Sequence, residues 1–155
     1  MPYYFVALGS NRPGRYGRPA AEVRAAAAAI SACALSPVIE SAAIGPSVRR
    51  FANAVARIDS DEAPPVLLAR LKRVERAFGR RRGRRWGARV IDLDIVAWSG
   101  GGWRSAGLVV PHAAFRQREF VLGPLVALAP GWRDPETGLT ARQLLARLTR
   151  RRPLA

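Results

Sequence analysis

The stretch RVIDLDIVAW (residues 89–98) decides the predicted fold, because it places two aspartates inside an otherwise apolar, branched strand. Side chains alternate between the two faces of a strand. One face is expected to carry the apolar set Ile91, Leu93, Ile95 and Ala97. The opposite face is expected to carry Val90, Asp92, Asp94 and Val96. If the apolar set packs on helices, both carboxylates stand on the open face of a sheet.

The segments that precede this strand, taken together with it, predict the order β-α-β-β-α-β. Strands are expected at residues 3–8, 37–44 and 51–58, and helices at 19 to about 34 and at 64–78. This order is typical of an α+β fold, a ferredoxin-like sandwich. LVVPH (108–112) predicts a further short strand, EFVLGPLVALAP (119–130) a helix, and TARQLLARLTR (140–150) a helix capped near Thr140. These C-terminal additions should surround the same core, so residues 1–155 are expected to form a single domain.

The composition limits the possible classes of protein. The formal charge is +15, and Lys72 is the only lysine among 26 basic residues. Such an arginine excess fits either polyanion binding or the residue usage of a G+C-rich genome. Cys33 is the only cysteine and no targeting or membrane-spanning segment is recognisable, so we expect a cytoplasmic protein. We also expect it to be a monomer.

The two aspartates predict a metal site. Two carboxylates on one strand face repel each other unless they are solvated, protonated or neutralised. Mg²⁺ binds one or two carboxylates and completes its shell with water and substrate phosphates. The arginine-rich segment GRRRGRRWGAR (79–89) precedes the pair, as phosphate transfer requires. The alternative is a pair of solvated aspartates beside a solvated basic loop.

Four segments carry a resemblance to a known family. They are FVALGSN (5–11), FANAV (51–55), RWGARVIDLDI (85–95) and VVPHAAFRQREFVLGPLVALAP (109–130). In order and spacing they resemble the 6-hydroxymethyl-7,8-dihydropterin pyrophosphokinases of folate biosynthesis. The resemblance implies a ferredoxin-like enzyme that uses ATP and two Mg²⁺ ions to transfer pyrophosphate to the hydroxymethyl pterin.

The resemblance also implies roles for individual residues. The metal ligands would be Asp92 and Asp94. The catalytic set would comprise these two aspartates with Arg80, Arg82 and Arg89. The pterin would be bound by Ser41, Ala42, Ile44, Phe51, Asn53, Trp86 and Phe120. The ATP side would be lined by Lys72, Glu75, Arg82, Trp86, Ile95, His112 and Arg118. Arg80, Arg82, Trp86 and Arg89 would belong to a loop that closes over the reactants.

The chain departs from the family pattern in the segment that would contact the pterin. The usual T-P-P stretch is replaced by SAAIG (41–45), and a common glutamine is replaced by Lys72. A related enzyme acting on a different pterin therefore stays open. A third hypothesis is a basic, RRM-like nucleic-acid-binding sandwich, although the clustered aromatic residues of such domains are absent.

Overall fold

The computed structural model describes residues 1–42, 50–79 and 89–150. The order of the first elements is β1 (Tyr3–Ser10), α1 (Pro19–Ala29), β2 (Ala34–Leu35), β3 (Ile39–Ala42), β4 (Arg50–Asp59), α2 (Pro64–Ala77) and β5 (Asp92–Trp98). They are followed by β6 (Trp103–Ser105), β7 (Leu108–Val110), a 3₁₀ helix (Phe115–Gln117), α3 (Glu119–Leu128) and α4 (Ala141–Thr149). The predicted β-α-β-β-α-β order is confirmed, with one addition, the two-residue strand β2 between α1 and β3.

The main sheet is antiparallel throughout. β1 lies at its centre between β4 and β5, and both β2 and β3 pair with the outer edge of β4. β1 thus lies between β4 and β5, and β3 lies at one edge of the sheet. This is the arrangement of the predicted ferredoxin-like α+β sandwich. β6 and β7 form a separate hairpin.

The first face of the sheet packs on α1 and α2. Its core contains alternate residues of the three long strands, which meet Val23 and Ala26 of α1 and Leu67 and Leu71 of α2. Both helices begin at a proline, which suits the first turn because the N–H that proline lacks has no helical partner there. α1 ends at Ala29, earlier than predicted, and Ser31 adopts a positive φ of 60°.

One orientation predicted for β5 is wrong. Ile91, Leu93 and Ile95 face α1 and α2 as expected, but Ala97 packs on the opposite face with Phe5 and Val96. The pairing of β1 with β5 shifts register after Phe5, since Phe5 pairs with Ala97 whereas Val6 pairs with Ile95. This bulge at Val96 reverses the alternation for the rest of the strand.

The second face of the sheet is covered over part of its area by the C-terminal elements. Phe5, Val55, Val96 and Ala97 form a second core with residues of the 3₁₀ helix, α3 and α4. As predicted, Thr140 caps α4, and its hydroxyl accepts the Gln143 N–H while the Gln143 side chain accepts the Thr140 N–H. The remainder of this face stays open. No helix within the three described ranges combines the length and apolar character needed to cross a membrane.

Candidate functional site

The open part of the second face is built around the end of β1. Gly9 pairs with Asn53 of β4 on one side and with Asp92 of β5 on the other. In the next row Ala7 pairs with Val55 and Asp94. Paired residues of neighbouring strands point to the same face. Asn53 and both carboxylates therefore stand on one face. Ala7 and Gly9, two small residues of β1, lie between them.

A cavity of about 790 Å³ lies over these positions. Nine of the residues predicted from sequence line it, which are Ser41, Phe51, Asn53, Arg89, Asp92, Asp94, His112, Arg118 and Phe120. Its remaining walls are formed by Ala7, Leu8, Gly9, Ser10, Asn11, Val96, Phe115 and Val121. β1, β3, β4, β5 and the segment leading into α3 therefore meet at one site.

The two carboxylates differ in their environments. Asp92 remains partly exposed. Asp94 is more buried, and burial together with the negative charge of Asp92 raises the pKa of Asp94 above its ordinary value. His112, Lys72 and Arg118 partly oppose this rise. The ionised form of Asp94 is therefore disfavoured by its surroundings, and a cation bound beside the pair would stabilise that form.

Arg89 is tied to the acidic pair by its backbone and by its side chain. Its guanidinium Nη1 lies 3.2 Å from Asp92 Oδ1. Its backbone N–H donates to Asn11 Oδ1 at 2.7 Å, and its carbonyl accepts the Asn11 N–H at 3.1 Å. Of the arginines predicted to serve catalysis, Arg89 is thus placed beside the carboxylates.

His112 is held as a neutral imidazole. Its backbone N–H donates to the Val96 carbonyl, and its Nδ1 accepts the Ala114 N–H at 3.0 Å. Burial lowers the pKa of His112, and the positive charge of Arg118 acts in the same direction, against the opposing effect of Asp94. An Nδ1 that accepts a hydrogen bond leaves the ring proton on Nε2. His112 can therefore donate one hydrogen bond without adding charge.

Two aromatic rings of the cavity are exposed. Phe51 of β4 is 38% exposed and Phe120 of α3 is 50% exposed, whereas the aromatic residues of the two cores are buried. The Arg118 guanidinium carbon lies 5.7 Å from the centre of the Phe120 ring. Exposed rings that line a cavity are suited to contact a flat heteroaromatic ligand.

Three residues predicted for the ATP side do not line this cavity. Glu75 is fully buried below β5, where its Oε2 accepts the Leu93 N–H at 2.9 Å and its Oε1 lies 3.1 Å from Lys72 Nζ. Ile95 belongs to the core formed with α1 and α2. Of the substrate-side residues, Ala42 pairs with Arg50 at the end of β3. Ile44, Arg80, Arg82 and Trp86 lie outside the described residues.

Sequence reasoning assigned no role to two residues that shape the site. Asn11 ends the motif FVALGSN, where an Asn directly after a strand was a usable signal for a turn or cap. Phe115 is buried and contributes to both the cavity wall and the second core. Nothing in its local sequence distinguishes it from an ordinary core aromatic.

The fold and cavity define a ferredoxin-like protein with an acidic, arginine-bearing cavity on its open sheet face. The model of the 7,8-dihydro-6-hydroxymethylpterin-pyrophosphokinase (HPPK) family matches residues 5–130. The chain therefore belongs to this family, which confirms the resemblance seen in its motifs.

Several curated relatives are named 2-amino-4-hydroxy-6-hydroxymethyldihydropteridine pyrophosphokinase. The one from Pseudomonas aeruginosa is 39% identical over 149 residues, covering 92% of this chain and 89% of the relative. Those from Methylorubrum extorquens and Synechocystis are 44% and 38% identical, over 63% and 68% of this chain. These two matches span only 61% and 54% of the relatives' own lengths.

Proposed function

We propose that the protein transfers the terminal pyrophosphoryl group of ATP to 6-hydroxymethyl-7,8-dihydropterin, as a step of folate biosynthesis. The observation that carries the proposal is the row of paired residues Asn53, Gly9 and Asp92. This row places the Asn53 amide in the same cavity as the carboxylate pair. Family membership supplies the reaction class.

The pterin would occupy the side of the cavity nearest β3 and β4. The Asn53 amide can both donate and accept hydrogen bonds, as the polar edge of a pterin requires. Phe51 and Phe120 offer ring faces on which the bicyclic system can stack. Ser41 lies beside Phe51 in the strand pairing, so its backbone and hydroxyl are near the same ligand edge.

The carboxylate pair fits Mg²⁺. Within the described ranges no group of three or more His, Cys, Asp or Glu side chains is arranged to hold a metal ion. Asp92 and Asp94 would suit a cation that takes few protein ligands and leaves positions for water and phosphate. Two ions held by these aspartates would neutralise phosphate charge and make the attacking hydroxyl more acidic.

The residues of the chain would act mainly by positioning and by electrostatics. The hydroxymethyl oxygen forms a bond to the β-phosphorus, the bond from the β-phosphorus to the oxygen of the α-phosphate breaks, and AMP leaves. The hydroxyl proton passes to solvent. Arg89 and Arg118 would hold phosphate oxygens as charge develops, and the neutral His112 would donate from Nε2. Phosphoryl-type transition states need little covalent assistance from protein groups.

The RRM-like alternative is disfavoured by packing. The face of an RRM sheet that binds RNA is open over its central strands. Here Phe5 and Val55 on that face are buried under α3 and α4. The uncovered part carries two carboxylates, which repel a nucleic acid backbone. A different pterin substrate remains the second candidate, because Ser41 begins the segment that departs from the family pattern.

The setting of the reaction is also a proposal. We infer a cytoplasmic, monomeric protein of one domain. The two cores that share a single sheet support the single domain. The single Cys33 is exposed and free, as suits a reducing compartment.

AMP release tests the proposed function. The wild-type protein with ATP and Mg²⁺ should release AMP in proportion to added 6-hydroxymethyl-7,8-dihydropterin. The matched control is the dihydropterin that lacks the hydroxymethyl group, which should release none. Equal AMP release with both compounds, or none with either, would contradict the proposal. Activity with a different hydroxylated pterin alone would favour the second candidate.

A further inference from the structure

Asn11 contacts both backbone polar groups of Arg89, the N–H and the carbonyl, although the two residues are 78 positions apart. The Asn11 N–H donates to the Arg89 carbonyl at 3.1 Å, and Asn11 Oδ1 accepts the Arg89 N–H at 2.7 Å. No other residue is recorded as a hydrogen-bond partner of the Arg89 backbone within the described part of the chain. Asn11 therefore fixes the backbone position from which the Arg89 side chain extends.

Asn11 and Arg89 lie just beyond the end of the sheet, next to the acidic pair. The regular pairing of β1 with β5 ends at Gly9 and Asp92. Asn11 and Arg89 hold the two chains together beyond that end, with a side-chain oxygen in place of a backbone carbonyl. The same Arg89 directs Nη1 to within 3.2 Å of Asp92 Oδ1. Both Asn11 and Arg89 line the cavity.

The side chain at position 11 must meet narrow requirements. It needs an acceptor two bonds beyond Cβ to reach the Arg89 N–H while its own backbone N–H reaches the carbonyl. Alanine offers no acceptor, and aspartate would add a third negative charge near Asp92 and Asp94. Asparagine meets the geometric requirement without charge.

We propose that Asn11 is a positioning residue for Arg89, and that it acts on the reaction by holding the guanidinium at the acidic end of the cavity. The inference rests on the proposed function, in which Arg89 holds phosphate oxygens. A displacement of about 1 Å in a catalytic group can reduce a rate about 100-fold. Loss of the Asn11 acceptor should therefore act on turnover more than on ground-state binding.

A double-mutant cycle tests this. Asn11→Ala should lower kcat at least about tenfold and change the KM for ATP less, because the affected contact is made fully only in the transition state. In an Arg89→Ala background the same substitution should reduce kcat by less than about twofold further, since residues that act through one another are not additive. The control cycle pairs Asn11→Ala with Arg118→Ala, where the two effects should multiply. A merely structural role for Asn11 predicts multiplication in both cycles and would overturn the inference.

Calorimetric measurement of the affinity for ATP with Mg²⁺ on the same variants distinguishes failure of the Asn11 inference from failure of the proposed function. If the wild type releases no pterin-dependent AMP, the proposed function fails, whereas non-additive losses of ATP affinity would still support the Asn11 inference. Additive losses, or an Arg89→Ala variant that binds and turns over normally, would overturn it. Asn11→Leu, which fills similar volume without an acceptor, replaces Asn11→Ala if circular dichroism shows the latter to be unfolded.

Discussion

Gly9 and Asn53 approach each other so closely that position 9 has little room for a side chain. They are paired across β1 and β4, and a Cβ built on Gly9 would lie 3.1 Å from Asn53 Oδ1. This distance is shorter than ordinary van der Waals contact between carbon and oxygen. The absence of a side chain at the centre of the row therefore allows the Asn53 amide to lie over β1, facing the cavity.

Gly9→Ala should consequently impair pterin binding. The added methyl must displace the Asn53 side chain by a few tenths of an ångström, which misaligns its amide with the pterin edge. We expect the KM for the pterin to rise about tenfold, the effect of about 1.4 kcal/mol, with a smaller change in the KM for ATP. Steady-state kinetics with each substrate varied in turn measures both. Gly131→Ala, where an added Cβ meets no atom within 4 Å, is the matched control.

Asp94→Asn should abolish turnover without loss of stability in the metal-free protein. Because burial and Asp92 raise the pKa of Asp94 in the folded state, its contribution to stability is present below its unfolded pKa and is lost as pH rises through the folded value. At neutral pH the carboxylate is therefore a cost that the amide avoids. Thermal unfolding in EDTA should give a melting temperature equal to or above that of the wild type. Near-normal Mg²⁺-dependent turnover in this variant would refute the metal-ligand role.

Arg89→Ala should lower kcat by about two orders of magnitude, the scale seen when one preorganised electrostatic donor is removed. ATP affinity should change less, because the Arg89 guanidinium is already paired with Asp92 before ATP binds. Arg150→Ala, at an exposed position after α4, is the charge-matched control. Similar small effects of the two substitutions would indicate that Arg89 belongs to a general basic surface.

Asp134→Asn should destabilise the wall that carries His112 and Arg118. Asp134 is fully buried and accepts hydrogen bonds from Arg116 Nε at 2.6 Å and from Arg116 Nη2 at 2.7 Å. Arg116 lies between His112 and Arg118 in the chain. Breaking a buried ion pair by removing one charge costs about 3 kcal/mol or more. For a chain of this size that corresponds to a melting temperature lower by about 6–12 °C. Glu136→Gln, the exposed second partner of Arg116, should change stability by less than about 1 kcal/mol.

The same pair predicts a pH dependence. Burial alone would raise the pKa of Asp134, but hydrogen bonds from Arg116, Thr137 and the Glu136 N–H outweigh burial and lower it. A lowered folded pKa gives stability that is present above the unfolded pKa and lost as pH falls through the folded value. Acid unfolding of the wild type should therefore show a loss that Asp134→Asn lacks. Parallel melting-temperature profiles of the two proteins in the acid range would contradict this account.

Much of the fold was predictable because the relevant signals are local. Prolines at helix starts located α1 and α2, and Thr140 with Gln143 located the start of α4. The position of Glu75 was less accessible to local reasoning. Its burial on the helix-covered side of β5 depends on how α2 docks, and the chain near Glu75 gives no indication of the strand it will meet.

The shared face of Asp92 and Asp94 could be predicted from the chain alone, because alternation along a strand follows from backbone geometry. The β-α-β-β-α-β order could be predicted as well, since helix and strand periodicities are properties of short segments. The change of face at Ala97 could not, because the bulge at Val96 arises from pairing with β1. Likewise, the pairing of Asn11 with Arg89 and the cover provided by α3 and α4 join residues far apart in the chain. Such contacts depend on how whole elements pack, and no local pattern specifies that packing.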